Sequence, residues 1–258
     1  MMKRIRTALC LILAAALLAG CTLLPSESEP EASSPADPLT GHPLEWPGQR
    51  PVAVTIENST ASATQWGISS ASVVLEALTE TGMPTALCLV YPALAATPKV
   101  GPVAAGQDIY WRLLVGQQPL PVQRGGGQFD QNYLDYYSIR AVDALEAGRT
   151  AFDCGSEWSN APLWYTSGSA ISKVLDALSI SAALTESRVT SAASAAAASA
   201  SSGSDAVLTV PALLPQEEDG KLPDATAPDA VNVRVCFGEN SATGFAYDPG
   251  SGLYRMLH

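Results

Sequence analysis

The sequence predicts an α/β fold in which a mixed sheet with flanking helices is followed by a small β-rich C-terminal unit. Two apolar runs typical of buried strands, residues 52–56 and 86–90, indicate the sheet. Apolar residues at helical spacing in residues 104–115 and 128–137 indicate helices that cover it. With 47% hydrophobic residues and a mean hydropathy of +0.13, the chain has enough apolar material for a sizeable core.

The first 21 residues have the pattern of a bacterial lipoprotein signal that ends at Cys21. Three cationic residues precede a short apolar stretch from Thr7 to Leu18, and small residues then lead into the cysteine. The stretch is shorter than the ~20 residues of a membrane-spanning helix. We therefore expect residues 1–20 to be removed as a signal peptide. Lipid on Cys21 then anchors the protein to the cell membrane, at its extracytoplasmic face.

The mature chain expected from this cleavage is acidic. The whole chain has 14 Lys and Arg residues against 25 Asp and Glu, which gives a net charge of −11. Cleavage removes three of the cations and none of the acids, so the net charge becomes −14. Nucleic-acid phosphates are bound by clustered cations, and this balance therefore argues against nucleic acid as a partner.

Composition divides the mature chain into four parts. Residues 21–50 are rich in Pro, Ser and Glu and predict a flexible tether, and residues 51–184 form the predicted N-terminal α/β domain. Residues 185–230, rich in Ala, Ser and Pro, indicate a linker or an insertion. Residues 231–258 begin a further unit with a half-buried strand and a hairpin. Because the chain ends at His258 inside a predicted strand, we expect this unit to be incomplete.

The first strands of the domain are predicted to form a hairpin. Apolar runs from Ser72 to Thr79 and from Pro84 to Tyr91 flank a turn at Glu80-Thr81-Gly82-Met83. A rival interpretation makes the first run a helix capped by Ser69 or Ser70. We favour the hairpin.

Two later segments predict helices of the domain. A short strand over residues 120–123 and three glycines precede a helix over residues 128–137, with Phe129, Tyr133 and Tyr136 on one side. Ser167 or Ser169 is suited to cap a further helix. Its apolar residues recur at helical spacing: Ile171, Val174, Leu175 and Leu178.

The remaining cysteines predict neither a disulfide framework nor a metal site. Cys88, Cys154 and Cys236 permit one intramolecular disulfide, but we expect small buried side chains instead, since Cys88 and Cys236 fall in predicted strands. The chain has no Cys-x-x-Cys and only two histidines. We therefore expect no metal and no cofactor.

The junction between the predicted strand 120–123 and the next helix is the best local candidate for ligand binding. Gly125, Gly126 and Gly127 let backbone N–H groups face outward at a helix N-terminus, which favours an anion. Arg124 adds a positive charge suited to a carboxylate or a phosphate. A plain tight turn explains the same residues.

Acidic side chains offer two further candidates. Glu57 and Glu76 lie in apolar strands, where a buried carboxylate pair would have raised pKa values suited to acid–base chemistry. Strand alternation equally allows one or both to face solvent. Asp130, Asp135 and Asp153 are possible oxygen ligands, but their spacing matches no calcium loop, and we expect them to be solvated.

Aromatic side chains are the last candidates. Trp158, Trp164 and Tyr165, and the group Tyr133, Tyr136 and Tyr137, can stack on sugars or on a peptide. Aromatic residues at helical spacing more often belong to a core, so we expect these mainly to be structural.

A series of short motifs follows in a characteristic order along the chain. They include Pro38-Leu39-Thr40-Gly41, Arg50-Pro51-Val52-Ala53-Val54, Gly67-Ile68-Ser69, Leu75-Glu76-Ala77, Lys99-Val100-Gly101-Pro102-Val103, Gly125-Gly126 and Tyr165-Thr166-Ser167. In this order residues 38–168 resemble the N-terminal domain, of unknown function (number 3048), of the YerB-like lipoprotein family. Residues 231–255 resemble the start of that family's C-terminal domain. The resemblance implies an α/β fold on a lipid anchor and no established activity.

Several polar positions differ from the family pattern. Ile56-Glu57-Asn58-Ser59 stands for Ile-Asp-Asn-His, and Gly101 to Gln107 lacks both arginines of Gly-Pro-Val-Arg-Ser-Ala-Arg. Gln123-Arg124-Gly125-Gly126-Gly127 stands for His-Ala-Gly-Gly-Ser, and the Arg and Pro-His-Asn positions before Tyr165 are also replaced. Glycines, prolines and apolar residues are kept, which is typical of a retained fold with a rebuilt or abandoned site.

These observations favour a non-enzymatic, lipid-anchored binding or scaffolding module of the bacterial cell envelope. Its expected partner is an envelope protein or a cell-wall fragment. One alternative is an envelope hydrolase or transferase that uses Glu57 or Glu76 as acid or base near Arg124. Another is a degenerate paralogue with a structural role only.

Overall fold

The structure is a computed structural model that describes residues 36–58, 64–78, 86–155, 163–185, 213, 230–238 and 241–257. The first half of the chain supplies β1 (Val52–Glu57), β2 (Val73–Glu76), β3 (Ala86–Tyr91), α1 (Asp108–Leu114), β4 (Leu120–Gln123) and α2 (Gln128–Tyr136). The second half supplies β5 (Val142–Asp143), α3 (Ala144–Ala147), β6 (Asp153–Gly155), β7 (Leu163–Tyr165), α4 (Gly168–Ile171), β8 (Asn232–Gly238), β9 (Ser241–Asp248) and β10 (Leu253–Leu257).

A five-stranded mixed sheet in the order β2-β3-β1-β4-β5 organises the domain and confirms the predicted α/β class. β1 is antiparallel to β3, with Val52 opposite Tyr91 and Glu57 opposite Ala86, and parallel to β4. β2 pairs antiparallel with β3, so the predicted hairpin is confirmed against the helix. Its turn, residues 80–83, lies outside the described residues.

Both faces of the sheet are covered, which explains why the central strands are continuously apolar. On one face Val52, Val54 and Ile56 pack with Phe152 and Ile171. On the other face Ala53, Cys88 and Val90 pack against side chains of α1 and α2, namely Tyr110, Trp111, Leu114, Tyr133 and Leu134. The two predicted helices over residues 104–115 and 128–137 are therefore the layer on this second face.

Two predicted helices are shorter than the periodicity suggested. α1 begins at Asp108 because Ala104 bonds to the sheet, its N–H donating to the carbonyl of Thr55 at 2.9 Å. α4 is capped by Ser167, as predicted, but ends at Ile171 and continues as turns. The predicted apolar stripe is nevertheless buried, since turns of similar spacing keep it on the core: Ile171, Val174, Leu175 and Leu178.

Residues 36–50, which the composition assigned to the tether, lie against the domain. Leu39 is buried in the core with Ala53, and Asp37 closes a turn by accepting the N–H of Leu39 at 2.8 Å. The Arg50 N–H donates to the carbonyl of Ala182 at 2.8 Å. The folded part of the chain thus includes residues before Pro51.

A three-stranded antiparallel sheet in the order β10-β9-β8 forms the C-terminal part. The predicted hairpin is present, with Tyr254 opposite Tyr247. The predicted half-burial of β8 is wrong, because Val233 and Val235 are both exposed at this edge strand. Contact with the rest of the chain comes through β9 and β10, where Thr243 is buried and Met256 packs against the core.

The described cysteines are all free thiols. Cys88 is buried in the sheet as predicted, and burial raises the pKa of its thiol. Cys154 is half-buried. Cys236 is exposed, contrary to the predicted small buried side chain, because β8 is covered on neither face. Among the helices of the described residues, none is long and apolar enough to span a membrane.

Candidate functional site

Segments that carry the family-like motifs meet at one end of the sheet. A strap formed by residues 99–106 crosses there and makes four isolated bridges, pairing Ile56 with Val103, Trp66 with Gly101, Val100 with Thr166, and Gly106 with Gly126. The motif positions at residues 56–58, 100–106, 124–127 and 165–167 are therefore neighbours in space. These segments lie far apart in the sequence, and only the fold brings them together.

The glycine-rich loop begins directly after β4, where the sequence predicts it. However, the backbone N–H of its first glycine, Gly125, is already hydrogen-bonded to the carboxylate of Asp143. Gly125, in the left-handed conformation at φ 64°, donates its N–H to both carboxylate oxygens of Asp143, at 2.9 and 3.0 Å. Asp143 also accepts the N–H of Leu145 at 2.8 Å and caps α3. At Gly125, the Asp143 carboxylate therefore takes the place of the anionic ligand that we expected at this loop.

Sequence reasoning missed Asp143. The signal was present, since Asp143 with Glu146 three residues later has the spacing of a helix-capping pair. A helix of only four residues, Ala144–Ala147, gives no apolar periodicity to draw attention to it.

Asp130 lies beneath the loop and is fully buried, so the prediction of a solvated side chain was wrong for this residue. Its carboxylate accepts hydrogen bonds from Trp111 Nε1 at 2.6 Å and from Gln123 Nε2 at 3.0 Å. Burial raises the pKa of Asp130 to about 6, although both hydrogen bonds lower it. Asp135 and Asp153 are exposed, as predicted.

Gln123 completes this buried network and leaves one atom unsatisfied. Its Nε2 atom contacts both Asp130 and, at 3.4 Å, Asp143. Its Oε1 atom is buried and has no hydrogen-bond partner among the described residues. Gly106 and Gly126 make room for the network, because a Cβ at either position would lie closer than 3.0 Å to a side chain of it.

Arg124 is half-buried beside the loop. Its backbone N–H donates to the carbonyl of Ala104 at 2.8 Å, which fixes the loop to the strap. Within the described part of the chain its guanidinium makes no ion pair, and its Nε atom is buried without a hydrogen-bond partner.

The proposed carboxylate pair does not form. Glu57 stands opposite Ala86 and Glu76 opposite Leu87, so successive residues of β3 place the two glutamates on opposite faces of the sheet. Glu76 instead accepts hydrogen bonds from Asn58 Nδ2 at 3.0 Å and Thr243 Oγ1 at 2.7 Å. In the described residues no hydrogen bond or ion pair connects either glutamate to Arg124.

An aromatic groove of about 480 Å³ lies along α2 and α1. Its lining residues are Arg112, Phe129, Asn132, Tyr133, Tyr136 and Tyr137. Phe129 is 61% exposed, Tyr136 82% and Tyr137 48%. The prediction of a mainly structural role was wrong for Tyr136 and Tyr137. The helix turns Asp130, Tyr133 and Leu134 to the core. Of the expected stripe, only Tyr133 is therefore buried, whereas Phe129 and Tyr136 are exposed.

The groove is held by contacts among its own side chains. The rings of Tyr133 and Tyr137 are 4.6 Å apart between centroids, and Tyr136 meets Tyr137 edge-on at 4.9 Å. The Arg112 guanidinium lies 4.7 Å from the Tyr133 ring, and Asp108 accepts its Nε–H at 2.7 Å. These contacts orient the exposed rings of Tyr136 and Tyr137.

The other predicted aromatic residues divide between the core and a small surface cluster. Trp164 packs edge-on against Phe152, with centroids 6.4 Å apart. Tyr165 and the exposed Trp66 flank the Lys99 ammonium, at 4.9 and 4.5 Å from the ring centroids. Trp158 lies outside the described residues.

Across the described ranges, no three His, Cys, Asp or Glu side chains are grouped so that they could hold a metal ion.

Comparisons with known proteins agree with this architecture. Residues 39–181 match the family described as Protein of unknown function (DUF3048), N-terminal domain. The crystal structure of YerB protein from Bacillus subtilis is similar, with a TM-score of 0.63 at 22% identity. The similarity covers 87% of this chain and 67% of the YerB chain. At that identity the likeness shows the fold.

No curated protein matches the chain significantly. The family assignment therefore rests on the matched domain, which spans more than half of the chain and includes the strap and the glycine-rich loop. The chain belongs to the YerB-like family defined by this N-terminal domain of unknown function.

Proposed function

We propose that the protein is a lipid-anchored binding module on the extracytoplasmic face of a bacterial membrane, and that the aromatic groove on α2 binds a sugar-containing fragment of the cell wall. The observation that carries the proposal is that Phe129, Tyr136 and Tyr137 are all exposed and all line one groove. Contiguous exposed apolar side chains in a folded protein mark interaction sites.

The composition of the groove favours a sugar. Aromatic rings offer flat apolar faces to the C–H groups of a sugar ring, while Asn132 and Arg112 supply hydrogen-bond donors at its edge. Arg112 is bonded to Asp108, which keeps its planar group in place. The acidic balance of the chain argues against nucleic acid as the ligand.

The geometry gives the enzyme alternative little support. A hydrolase of the kind envisaged needs an acid or base at a shared site with Arg124. Glu57 and Glu76 lie on opposite faces of the sheet, and within the described ranges no hydrogen bond or ion pair joins either of them to Arg124. A purely structural role does not account for three aromatic rings exposed in one groove.

Lipid anchoring rests on the sequence pattern that ends at Cys21. Expression of the full chain and of Cys21→Ala tests it directly. We expect the first in the membrane fraction with a lipid-modified N-terminus and the second without the modification. An unmodified Cys21 in membrane-bound wild-type protein would contradict the anchor.

Binding is tested with the full chain carrying Cys21→Ala and with purified wall fragments. We expect the fragments to sediment the protein, and Tyr136→Ala with Phe129→Ala to abolish this. Leu253→Ala is the matched control, since Leu253 is as exposed as Phe129 but lies in β10. Equal binding of the groove variant and the control would overturn the proposal. Crosslinking of wild-type protein to an envelope protein through the groove would replace the sugar with a protein partner.

A further inference from the structure

The buried network beneath the glycine-rich loop lacks one hydrogen-bond donor. Gln123 and Asp130 are both buried, with 2% and 0% of their surface exposed. Gln123 Nε2 donates to Asp130 Oδ2 at 3.0 Å, whereas Gln123 Oε1 has no hydrogen-bond partner among the described residues. A buried acceptor without a donor is unfavourable in free energy. A donor placed next to Oε1 would therefore stabilise the folded protein.

The backbone of Gly106 closes over this acceptor. A Cβ atom at Gly106 would lie 2.1 Å from Gln123 Oε1, so the main chain of the strap leaves no room there for another side chain. The N–H of Gly106 is not available as the donor, because it already donates to the carbonyl of Gly125 at 2.8 Å. The missing donor has to come from a group that is already part of the network.

The carboxyl group of Asp130 is placed to supply this donor. Gln123 Oε1 and Asp130 Oδ1 both lie within 2.6 Å of one point, the position of a Cβ on Gly106, so the two oxygens are neighbours. The other atoms of the same two groups, Gln123 Nε2 and Asp130 Oδ2, are already bonded. A carboxylic acid and a carboxamide that face each other in this way form two hydrogen bonds in one ring. The amide N–H donates to one carboxyl oxygen, and the carboxyl O–H donates to the amide oxygen.

The charges around Asp130 favour this proton. The charged groups that act on its carboxyl group are both acids, Asp108 at the start of α1 and Asp143 on β5. Within the described ranges no cation forms an ion pair with Asp130, since Arg112 of α1 is bonded to Asp108 and Arg124 of the loop makes no ion pair. Burial, with a smaller contribution from the two acids, raises the pKa of Asp130 to about 6, although the hydrogen bonds that it accepts lower it.

We propose that Asp130 and Gln123 form a pH-sensitive latch, which fastens α2 to β4 by two hydrogen bonds when Asp130 is protonated and by one when it is ionised. On ionisation the O–H bond breaks, its electron pair stays on the carboxylate and the proton passes to water. Oδ1 of Asp130 and Oε1 of Gln123 then face each other as two acceptors. Their repulsion weakens the attachment of α2 to the sheet.

The latch lies where three segments meet. Asp130 is in the first turn of α2, directly after the glycine-rich loop. The loop is bonded to the strap on both sides of Gly125, since Gly106 donates to the Gly125 carbonyl and the N–H of Arg124 donates to the carbonyl of Ala104 at 2.8 Å. Release of the latch is therefore expected to loosen the loop and the first turn of α2 within the folded protein. This inference does not depend on what the aromatic groove binds.

The first test is a pH titration by NMR of the full chain carrying Cys21→Ala. We expect the carboxyl carbon of Asp130, the side-chain amide of Gln123 and the indole N–H of Trp111 to titrate together, with a midpoint at about 6. Asp130→Asn should abolish the shifts of the amide and the indole. Asp135→Asn is the matched control, because Asp135 is exposed on the same helix and its loss should leave the titration unchanged. An Asp130 carboxyl group that stays ionised down to pH 3.8, its ordinary pKa, would overturn the proposal.

The second test measures motion of the loop in the folded state. Order parameters from ¹⁵N relaxation report fast motion of the native protein, so they separate a local latch from a change in the free energy of unfolding. We expect lower values for Gly126 and Gly127 at neutral than at acid pH, with constant values in β1 and β3. Values that do not change with pH, or that change equally in Asp130→Asn, would overturn the latch.

A further variant tests the part played by the carboxamide. Gln123→Met has a side chain of similar length but removes both the donor and the acceptor that face Asp130. We expect the loop of this variant to be equally mobile in acid and at neutral pH. A pH dependence of its order parameters as large as that of the wild type would refute the pairing with Gln123.

Discussion

The indole nitrogen of Trp111 donates a 2.6 Å hydrogen bond to Oδ1 of Asp130, and both side chains are fully buried. This bond joins α1 to α2 beneath the glycine-rich loop, with Gln123 of β4 as the second donor. A buried carboxylate with two neutral donors and no cation is expensive to keep ionised. The stability of the domain should therefore depend on whether the carboxyl group of Asp130 is protonated.

We expect the free energy of unfolding to fall as pH rises between 3.8 and about 6, the ordinary and the raised pKa of Asp130. In this window the folded protein keeps a proton that the unfolded chain releases, so stability decreases with pH and levels off above it. The difference in pKa corresponds to about 3 kcal/mol. Urea unfolding across the window measures the slope.

Asp130→Asn isolates this contribution. It keeps the acceptor for Trp111 and lets Gln123 turn its unpaired Oε1 towards the new amide. We expect a variant at least as stable as wild type at neutral pH and a shallower slope below it. If the unfolding free energy of Asp130→Asn fell with pH as steeply as that of the wild type, the pH dependence would come from other carboxyl groups.

Gly126→Ala should destabilise the protein by about 1–3 kcal/mol, the usual cost of overpacking. Its Cβ would meet the carboxylate of Asp130, which is itself held by Trp111 and Gln123. Gly116→Ala is the control, since nothing lies within 4 Å of the added atom. Thermal unfolding compares the two. Equal melting temperatures would mean that the loop shifts freely away from Asp130.

Thiol labelling should distinguish Cys236 from Cys88. Cys236 is exposed, whereas Cys88 is buried and burial raises the pKa of its thiol, which suppresses the reactive thiolate. In a protein of residues 21–258 that carries Cys21→Ser, we expect rapid reaction of Cys236 and reaction of Cys88 only on unfolding. Cys236→Ser should lose the fast phase. Fast labelling of Cys88 in that variant would mean that the sheet opens readily.

Thr243→Val should loosen the C-terminal sheet. The buried Thr243 hydroxyl donates to the Glu76 carboxylate at 2.7 Å and links β9 to β2. Valine keeps the shape and removes the donor, at a cost of about 1–3 kcal/mol for a partly buried bond to a carboxylate. Hydrogen exchange should rise in β8–β10. A double-mutant cycle with Glu76→Gln measures the coupling free energy between Thr243 and Glu76. A coupling free energy of zero would show that other contacts hold this sheet in place.

Local pattern was enough to predict the central elements. Continuous apolar runs marked β1 and β3, helical spacing marked α1 and α2, and a turn between apolar runs indicated the β2–β3 hairpin. These signals are short in range, since each lies within about a dozen residues of chain. The family-like order of motifs implied the same fold class.

The short elements β5, β6, β7 and α3 were beyond such reasoning, because two to four residues carry no periodicity. Asp143, whose carboxylate accepts the N–H of Gly125 in the glycine-rich loop, lies in one of these elements, β5. Part of the candidate site therefore escaped prediction together with the element that holds it.

The sequence by itself determined the apolar strands and the glycine-rich turn, because these depend on neighbouring residues. Tertiary structure alone decided which polar groups meet. Register placed Glu57 and Glu76 on opposite faces, since a shift of one residue reverses the face. Chain crossing set Arg50 and Arg140 around one cavity and brought Trp111 to the buried Asp130, and no local pattern encodes contacts between residues so far apart.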